Sequence, residues 1–266
     1  MSTDEEWEKW GQSDPYFGVI THDKFRNKNL SDEVKKEFFD SGRDHIGRIL
    51  DLCRNHLDSG FEVGRAVDFG CGTGRLVIPL AEISREVVGI DISPSMLKEA
   101  QKNCEDLGLS NASFILSDDQ LSKLQGRFNF IHSFIVFQHM PVKRGEQVLT
   151  RLMDHLEDGG ILALQFTFAK QRFASNWGVP FNETLWKLAR ATKVRIRKIY
   201  KTLTGCKDPE MQMNPYNLNR LLFFLQSNGI STVHTELTDH SGEMGIFLYC
   251  QKPHSGSTSA SGSEKA

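Results

Sequence analysis

Along the middle of the chain, the pattern of apolar and polar residues alternates between one typical of strands and one typical of helices. Short apolar runs of strand length are separated by segments in which apolar residues recur every three or four positions. The predicted strands cover residues 65–69, 86–91, 112–116, 128–136 and 161–168. The helix between the second and third strands begins at Ser93-Pro94 and ends at Gly108. Ahead of the first strand, separate helices are predicted over residues 31–37 and 42–57.

The pattern resumes near the end of the chain. Asn214-Pro215 leads into a helix, and apolar strands follow at residues 231–237 and 244–251. The sequence Asp-His-Ser-Gly at 239–242 is typical of a hairpin turn, so the last strand should run antiparallel to its neighbour. Alternating strands and helices otherwise favour parallel pairing with right-handed crossovers. The predicted fold is α/β, a doubly wound Rossmann-like sheet of seven strands, mostly parallel with an antiparallel last strand.

The start of the chain is aromatic and charged without clear periodicity. Residues 1–41 are interpreted as an N-terminal lid or strap over a cofactor-binding core at residues 42–168. The clustered aromatic residues are Trp7, Trp10, Tyr16, Phe17 and Phe25. They are expected either to cover the mouth of a ligand site or to pack as a simple arm. Unchanged ligand affinity after removal of residues 1–25, in a chain still folded, would rule out the lid.

Residues 169–213 interrupt the alternation of strands and helices. Within them, residues 187–201 carry seven lysines and arginines and no acidic residue. Apolar residues keep roughly helical spacing there, which predicts a basic helical insertion that caps the substrate site. Its charge favours an anionic small molecule or an acidic surface, and a solvated helix face is an equally open alternative. Residues 214–252 complete the core, and the Ser/Gly-rich tail at 253–266 is predicted to be disordered.

The turn after the first strand carries the clearest chemical signal. Gly70, Gly72 and Gly74 alternate through it, and a helix follows at once. Glycine lets another group approach the backbone closely, and the N–H groups at a helix start favour a polar or anionic ligand group. Both features predict a nucleotide-type cofactor across the carboxyl end of this strand. An ordinary tight turn is the alternative, and Cys71 is interpreted as a small filler within the loop.

Asp68 lies two residues before the first glycine, on a strand predicted to be buried. A buried carboxylate is costly unless it is paired, and loop N–H groups or a ligand ammonium could pair it. This acidic residue and the spacing Gly-x-Gly-x-Gly distinguish the loop from the dinucleotide fingerprint Gly-x-Gly-x-x-Gly. Both differences argue against a nicotinamide-dependent oxidoreductase, which is kept as an alternative.

Acidic residues also follow the next two strands, at the edge where an open α/β sheet binds its ligands. Asp91, followed by Ile92, ends the second strand and can hold two ribose hydroxyls. Helix capping is the alternative, but Ser93 is the better cap before a proline, which favours the ribose role. Asp118 and Asp119 follow the third strand, where a carboxylate can accept from an adenine amino group or cap the next helix.

Composition and charge narrow the class of protein. The chain has 266 residues and a formal net charge of −2, which gives no general attraction to nucleic acid or membranes. Neither a secretory signal nor a membrane-spanning run is expected from the sequence. The five cysteines are scattered without a Cys-x-x-Cys pair. Their placement predicts reduced thiols in a cytoplasm and no metal site.

The order strand, Asp-x-Gly-x-Gly-x-Gly, helix, strand-Asp, strand-Asp resembles the class I S-adenosylmethionine-dependent methyltransferases over about residues 42–168. The resemblance implies S-adenosylmethionine as cofactor. It brings the three glycines close to the cofactor, with Asp68 facing its amino-acid group, Asp91 on its ribose and Asp118 on its adenine. Cys71 and Ile92, which neighbour these residues, are included in the predicted cofactor site.

Three further residues enter the cofactor site by the same resemblance. Ser133 and Phe134 should face the methionine half of the cofactor, and Arg43 should reach its carboxylate. A solvated surface arginine is the alternative for Arg43. Pro79 departs from the family pattern, because it falls early in the first cofactor helix and predicts a late start or a bend.

The implied activity is in-line transfer of a methyl group to an oxygen or nitrogen of a small-molecule acceptor. His139, just past the fourth strand, is the candidate general base, with a structural role as the alternative. The Asp/Asn-Pro-Pro-Tyr/Phe motif of amino-group methyltransferases on nucleic acid is absent after that strand, which disfavours nucleic acid. A further alternative is a cofactor-binding module that docks its basic insertion on an anionic membrane surface or a partner.

Overall fold

The computed structural model describes residues 3–171 and 208–254, which carry seven α-helices and seven strands. The helices are α1 (Thr3–Ser13), α2 (Pro15–Val19), α3 (Asp32–His56), α4 (Val77–Ile83), α5 (Pro94–Asp106), α6 (Val142–Asp154) and α7 (Leu218–Ser227). The strands are β1 (Arg65–Phe69), β2 (Glu86–Asp91), β3 (Ala112–Leu116), β4 (Phe128–Ser133), β5 (Leu156–Lys170), β6 (Thr232–His240) and β7 (Glu243–Gln251). No helix in this described part could span a bilayer. The basic run at 187–201 and the tail from residue 255 lie outside the described residues.

All seven strands belong to one sheet, in the order β3-β2-β1-β4-β5-β7-β6. β1 pairs in parallel with β2 and β4, whereas β7 runs antiparallel to both β5 and β6. This arrangement confirms the predicted fold, with the antiparallel last strand inserted between β5 and β6. The strand order reverses between β1 and β4, and an open α/β sheet forms its ligand crevice at such a point.

Helices cover both faces of the sheet, so its central strands are continuous apolar runs. Side chains of α3, α4 and α5 form the core on one face, and side chains of α6 and α7 form it on the other. Phe130 and Ile131, adjacent on β4, enter opposite layers and are both fully buried. The strand ends are therefore held from both sides, which gives the crevice a rigid floor.

The predicted break between two N-terminal helices is wrong. Ser31 caps the helix as expected, accepting a 3.3 Å hydrogen bond from the Val34 N–H, but α3 then continues unbroken to His56. Gly42 therefore lies within α3 and does not mark a helix boundary. The absence of a Cβ lets α3 approach the turn after β1, since a Cβ at this position would lie 2.1 Å from the carbonyl oxygen of Arg75.

Other boundaries also differ from prediction. β4 ends at Ser133 because Ile135 adopts a φ of 58°, which an extended strand does not accommodate. β5 begins at Leu156, ahead of the predicted start at residue 161. The hairpin turn is confined to Ser241 and Gly242, which both have positive φ, as two-residue hairpins require. Pro79 is the third residue of α4.

Candidate functional site

A cavity of about 800 Å³ opens where β1, β2 and β4 end, at the reversal of strand order. This volume suits a ligand of cofactor size. We call its two sides the loop half and the rim half. The loop half is lined by Asp68, Gly70, Cys71, Gly72, Arg75, Asp91, Ile92 and Asp119. The rim half is lined by Trp7, Ile20, Thr21, Phe134, Gln138, His139, Met140, Met211, Met213 and His240.

The glycine loop needs glycine for its backbone conformation and for space. Gly70, Gly72 and Gly74 have φ of 77°, 52° and 86°, a region that other residues seldom adopt. A Cβ on Gly70 would lie 2.2 Å from a methyl carbon of Val136, and one on Gly72 would lie 2.5 Å from Val19. The loop thus brings bare backbone to the cavity wall, as a ligand that approaches closely requires.

Asp91 braces this loop from the end of β2. Its two carboxylate oxygens accept hydrogen bonds from the N–H groups of Gly72 and Ser93, each at 2.9 Å. Burial raises the pKa of Asp91 to about 6, against the opposing effect of these hydrogen bonds. Ser93, not Asp91, supplies the side-chain cap of α5, by accepting from the Met96 N–H. Asp91 therefore lines the cavity with oxygens that can accept further hydrogen bonds.

Asp68 is 2% exposed and lines the same half of the cavity. Its Oδ1 lies 2.9 Å from Nδ1 of His132. Its Oδ2 is buried and has no hydrogen-bond partner among the described residues. An acceptor left unpaired in this way costs about 1–3 kcal/mol, which a ligand donor could recover.

The structure does not bring Arg43 to the cavity. Arg43 forms ion pairs with Glu82 and Asp40 on the surface, as in the alternative interpretation. Arg75 lines the cavity instead, and its Nε is buried without a partner among the described residues. Burial lowers the pKa of Arg75 to about 10, and Asp68 opposes that effect. Sequence reasoning missed Arg75, although its place directly after Gly74 was a usable signal.

The two acidic residues after β3 have different surroundings. Asp118 is exposed and accepts from the Ser122 hydroxyl and from the Gln120 N–H at 3.0 Å, so it closes a local turn. These hydrogen bonds hold its pKa below the usual value. Asp119 lines the cavity and pairs with Arg144. Geometry thus favours Asp119 over Asp118 as a ligand contact.

Ser133 and Phe134, at the end of β4, also differ in their position relative to the cavity. Ser133 is fully buried, and its hydroxyl donates to the Phe69 carbonyl at 2.9 Å, which ties β4 to β1 below the cavity. Phe134 lies on the cavity wall, where its ring contacts His45 at a centroid distance of 4.3 Å. Phe134 can therefore touch a ligand directly, whereas Ser133 supports the floor.

His139 is held firmly in the rim half. Its Nδ1 lies 2.7 Å from the Gln212 carbonyl oxygen, which can only accept, so Nδ1 carries the proton. Its Nε2 lies 3.4 Å from the Gln138 amide nitrogen, a long contact. Burial lowers the pKa of His139 to about 4, so the ring is neutral near pH 7. This geometry suits a base at Nε2 and also a brace for residue 212.

The N-terminal segment both packs and covers. Tyr16 and Phe25 belong to the main core, so they act as a packing arm. Trp7 lines the cavity and meets the His139 ring edge-on at 5.0 Å. Glu8 fastens α1 to the start of α5 by accepting from both Ser93 and Ser95. Deleting residues 1–25 would thus remove core as well as cover.

The sequence of the chain is similar to that of known methyltransferases. Residues 66–160 match the family described as a methyltransferase domain. The chain is similar to a 23S rRNA (uracil(1939)-C(5))-methyltransferase of Shewanella sediminis, with 43% identity over 54 residues, 20% of this chain and 12% of that protein. It is similar to the ubiquinone biosynthesis O-methyltransferase of Methylococcus capsulatus, with 35% identity over 78 residues, 29% of this chain and 33% of that protein. The chain covers less than half the length of these curated relatives.

A solved structure extends the likeness to nearly the whole chain. The magnesium protoporphyrin IX methyltransferase of Synechocystis PCC 6803, with bound S-adenosylmethionine, superposes with a TM-score of 0.57. The match covers 95% of this chain and 98% of that one at 19% sequence identity. At this identity the likeness shows a shared fold.

Proposed function

We propose that this chain, whose residues 66–160 match a methyltransferase domain, is a class I S-adenosylmethionine-dependent methyltransferase that methylates an oxygen or nitrogen of a small-molecule acceptor. The observation that carries the proposal is the loop half of the cavity. There a bare glycine backbone, the braced carboxylate of Asp91 and the unpaired oxygen of Asp68 meet at one edge of the sheet.

The loop half fits S-adenosylmethionine at each of its parts. Asp91 can accept from ribose hydroxyls, and Asp119 can accept from the adenine amino group. Asp68 and Arg75 both line the cavity, and Oδ2 of the first and Nε of the second have no hydrogen-bond partner among the described residues. An acceptor and a donor of opposite charge match a zwitterionic amino-acid group, whose ammonium and carboxylate need partners of opposite sign. Arg75 thus takes the role that the sequence assigned to Arg43.

When bound, the cofactor supplies an electrophilic methyl group on a sulfonium. The protein's main task is then to hold the acceptor atom in line with it, since positioning supplies much of the rate in such displacements. Phe134 offers an aromatic face to a cation on the cavity wall. His139, neutral and unprotonated at Nε2, is placed to take a proton from an acceptor hydroxyl.

The rim half favours an acceptor with an apolar body. Met140, Met211 and Met213 line it, and methionine side chains adapt to irregular apolar ligands. We extend the proposal to an acidic group on the acceptor, which the basic run at 187–201 favours, and to a cytoplasmic location, which the scattered placement of the cysteines favours. Similarity to the ubiquinone biosynthesis O-methyltransferase supports a small molecule as the acceptor. The alignment with the rRNA methyltransferase spans only 54 residues.

Isothermal titration tests the proposal. S-adenosylmethionine and S-adenosylhomocysteine should both bind with dissociation constants of about 1–100 μM, and Asp91→Ala should abolish this binding. NADH serves as the control ligand. Binding of NADH alone would favour the oxidoreductase, and binding of none of the three would refute the proposed cofactor. A positive result justifies a screen of acceptors with a labelled methyl group.

A further inference from the structure

Two histidines form a buried chain behind Asp68. His132 Nδ1 lies 2.9 Å from Asp68 Oδ1, and His132 Nε2 lies 3.2 Å from Nε2 of His45. His132 is fully buried at the centre of the sheet, where a polar side chain is costly unless it is paired. None of the steps of methyl transfer described above uses this chain.

The fold leaves the side chains of Asp68 and His132 little freedom to move. Asp68 and His132 are partners in the parallel register of β1 and β4, so their side chains leave neighbouring backbone positions on the same face. His45 reaches them from α3, which packs on that face. Its ring also packs against the ring of Phe134, at a centroid distance of 4.3 Å, which limits its rotation. Three separate elements therefore fix the position of one carboxylate.

The protonation states follow from the contacts. A carboxylate oxygen only accepts, so His132 carries its proton on Nδ1 and donates to Asp68. Burial, assisted by His132, lowers the pKa of His45 to about 2, so His45 is neutral. The 3.2 Å contact between the two Nε2 atoms needs one proton, which either ring can supply. In both cases Nδ1 of His132 donates to Oδ1 of Asp68.

The consequence concerns the other carboxylate oxygen. Because Oδ1 is occupied, Oδ2 is the acceptor that Asp68 keeps for a ligand. We propose that His132 is a positioning residue that holds Asp68 so that Oδ2 receives the α-ammonium group of the cofactor. His132 thereby makes the site selective for ligands that carry the amino-acid group. The inference rests on the proposed function, because it needs an S-adenosyl ligand in the loop half.

Two ligands isolate this effect by calorimetry. S-adenosylhomocysteine carries the amino-acid group, and 5′-methylthioadenosine lacks it but keeps the adenosine and the sulfur. His132→Leu should weaken binding of S-adenosylhomocysteine by about ten- to a hundredfold, as expected for a misplaced hydrogen bond to a charged group. Binding of 5′-methylthioadenosine should change by less than about twofold, since that ligand never reaches Asp68.

Matched variants separate positioning from structural damage. His132→Asn should keep affinity for S-adenosylhomocysteine within about threefold, because its amide nitrogen can replace Nδ1 as donor. His155→Leu removes a comparable Nδ1 contact, 2.7 Å from the Gly126 carbonyl oxygen, far from the cavity, and should change neither ligand. Equal weakening of both ligands by His132→Leu, or failure of His132→Asn to rescue, would overturn the inference. A wild-type protein that binds neither ligand would instead refute the proposed function.

A second measurement needs no variant and covers the case in which His132→Leu does not fold. In wild-type protein with ¹⁵N-labelled histidine, His132 should appear as the Nδ1-protonated form. Its nitrogen resonances should move on addition of S-adenosylhomocysteine and stay in place with 5′-methylthioadenosine. Identical shifts with the two ligands, or a proton on Nε2 instead of Nδ1, would contradict the proposal.

Discussion

The two halves of the cavity are built in different ways. The loop half comes from one continuous stretch and two neighbouring strand ends, so β-sheet register alone brings Gly70, Asp91 and Asp119 together. The rim half gathers Trp7 from the start of the chain and His240 from the end of β6. Its geometry depends on how distant segments pack.

The halves also differ in chemistry. Fixed polar groups dominate the loop half, where Asp91 is braced by two N–H groups and Asp68 by a histidine. Adaptable apolar groups dominate the rim half, where Met211 and Met213 are examples. Under the proposed function, the loop half recognises the cofactor and the rim half sets the acceptor. Affinity for S-adenosylhomocysteine should therefore depend strongly on the first and little on the second.

Gly70→Ala should have the largest effect. The new Cβ would meet Val136 at 2.2 Å in a backbone region that alanine adopts at a cost, so the loop must move off the ligand. We expect affinity for S-adenosylhomocysteine to fall by more than about a hundredfold, measured by calorimetry.

Gly108→Ala is the matched control for that variant. Gly108 has a φ of 71°, close to the 77° of Gly70, but its added Cβ meets nothing within 4 Å. It should lose about 1 kcal/mol of unfolding free energy and bind the ligand normally. Equal losses of affinity in the two variants would mean that backbone strain, not close approach, explains the glycines.

Asp91→Asn should have an intermediate effect. The side-chain amide of asparagine has one oxygen acceptor, and its nitrogen cannot accept a hydrogen bond. One of the two hydrogen bonds from the N–H groups of Gly72 and Ser93 is therefore lost together with the charge. We expect affinity for S-adenosylhomocysteine to fall by about ten- to a hundredfold. Asp118→Asn, in the exposed turn nearby, is the control and should leave affinity unchanged.

The pH dependence of binding sharpens the same prediction. The pKa of Asp91 is raised to about 6 by burial, so the carboxylate becomes protonated as the pH falls through that value. The ligand needs the ionised acceptor, and wild-type affinity should therefore weaken below about pH 6. Asp91→Asn should remove this dependence. A wild-type affinity that is constant from pH 7 to pH 5 would contradict the role of Asp91.

The difference between the halves also explains what the sequence could predict. Spacing within one turn is local information, so Gly70, Gly72 and Gly74 were identified together with the strand that carries them. The sequence favoured a ribose role for Asp91 over a capping role because Ser93 offered a better helix cap. In the structure Ser93 does cap α5. The central strands were found because both of their faces are buried.

The sequence predicted less where tertiary contacts decide the position of a side chain. Arg43 forms a surface ion pair with Glu82, whereas the close packing of Gly42 against Arg75 buries Arg75. The position of Arg75 after Gly74 was a usable signal, but the ion pair of Arg43 has no local signal. Asp118 and Asp119 are adjacent in sequence, but the first closes a local turn and the second pairs with Arg144 on α6. The pairing of His132 with His45 has no local signal, because the two residues lie 87 positions apart in sequence.

His139→Ala should have the smallest effect on cofactor affinity, because His139 lies in the rim half and holds residue 212 rather than the glycine loop. S-adenosylhomocysteine should bind within about twofold of wild type. Turnover of an acceptor hydroxyl found with labelled S-adenosylmethionine should fall by about a hundredfold or more, since a base in place contributes that much. His155→Ala is the control and should keep the full rate.

The pKa of His139, lowered by burial to about 4, adds a further condition. At saturating cofactor, protonation of His139 should not limit the wild-type rate above about pH 5, because the ring stays neutral there. Large losses of cofactor affinity in His139→Ala would show that the two halves are coupled. A full rate with full affinity would instead leave His139 as a brace for residue 212 and transfer the search for a base to His240, whose Nε2 is buried without a partner among the described residues.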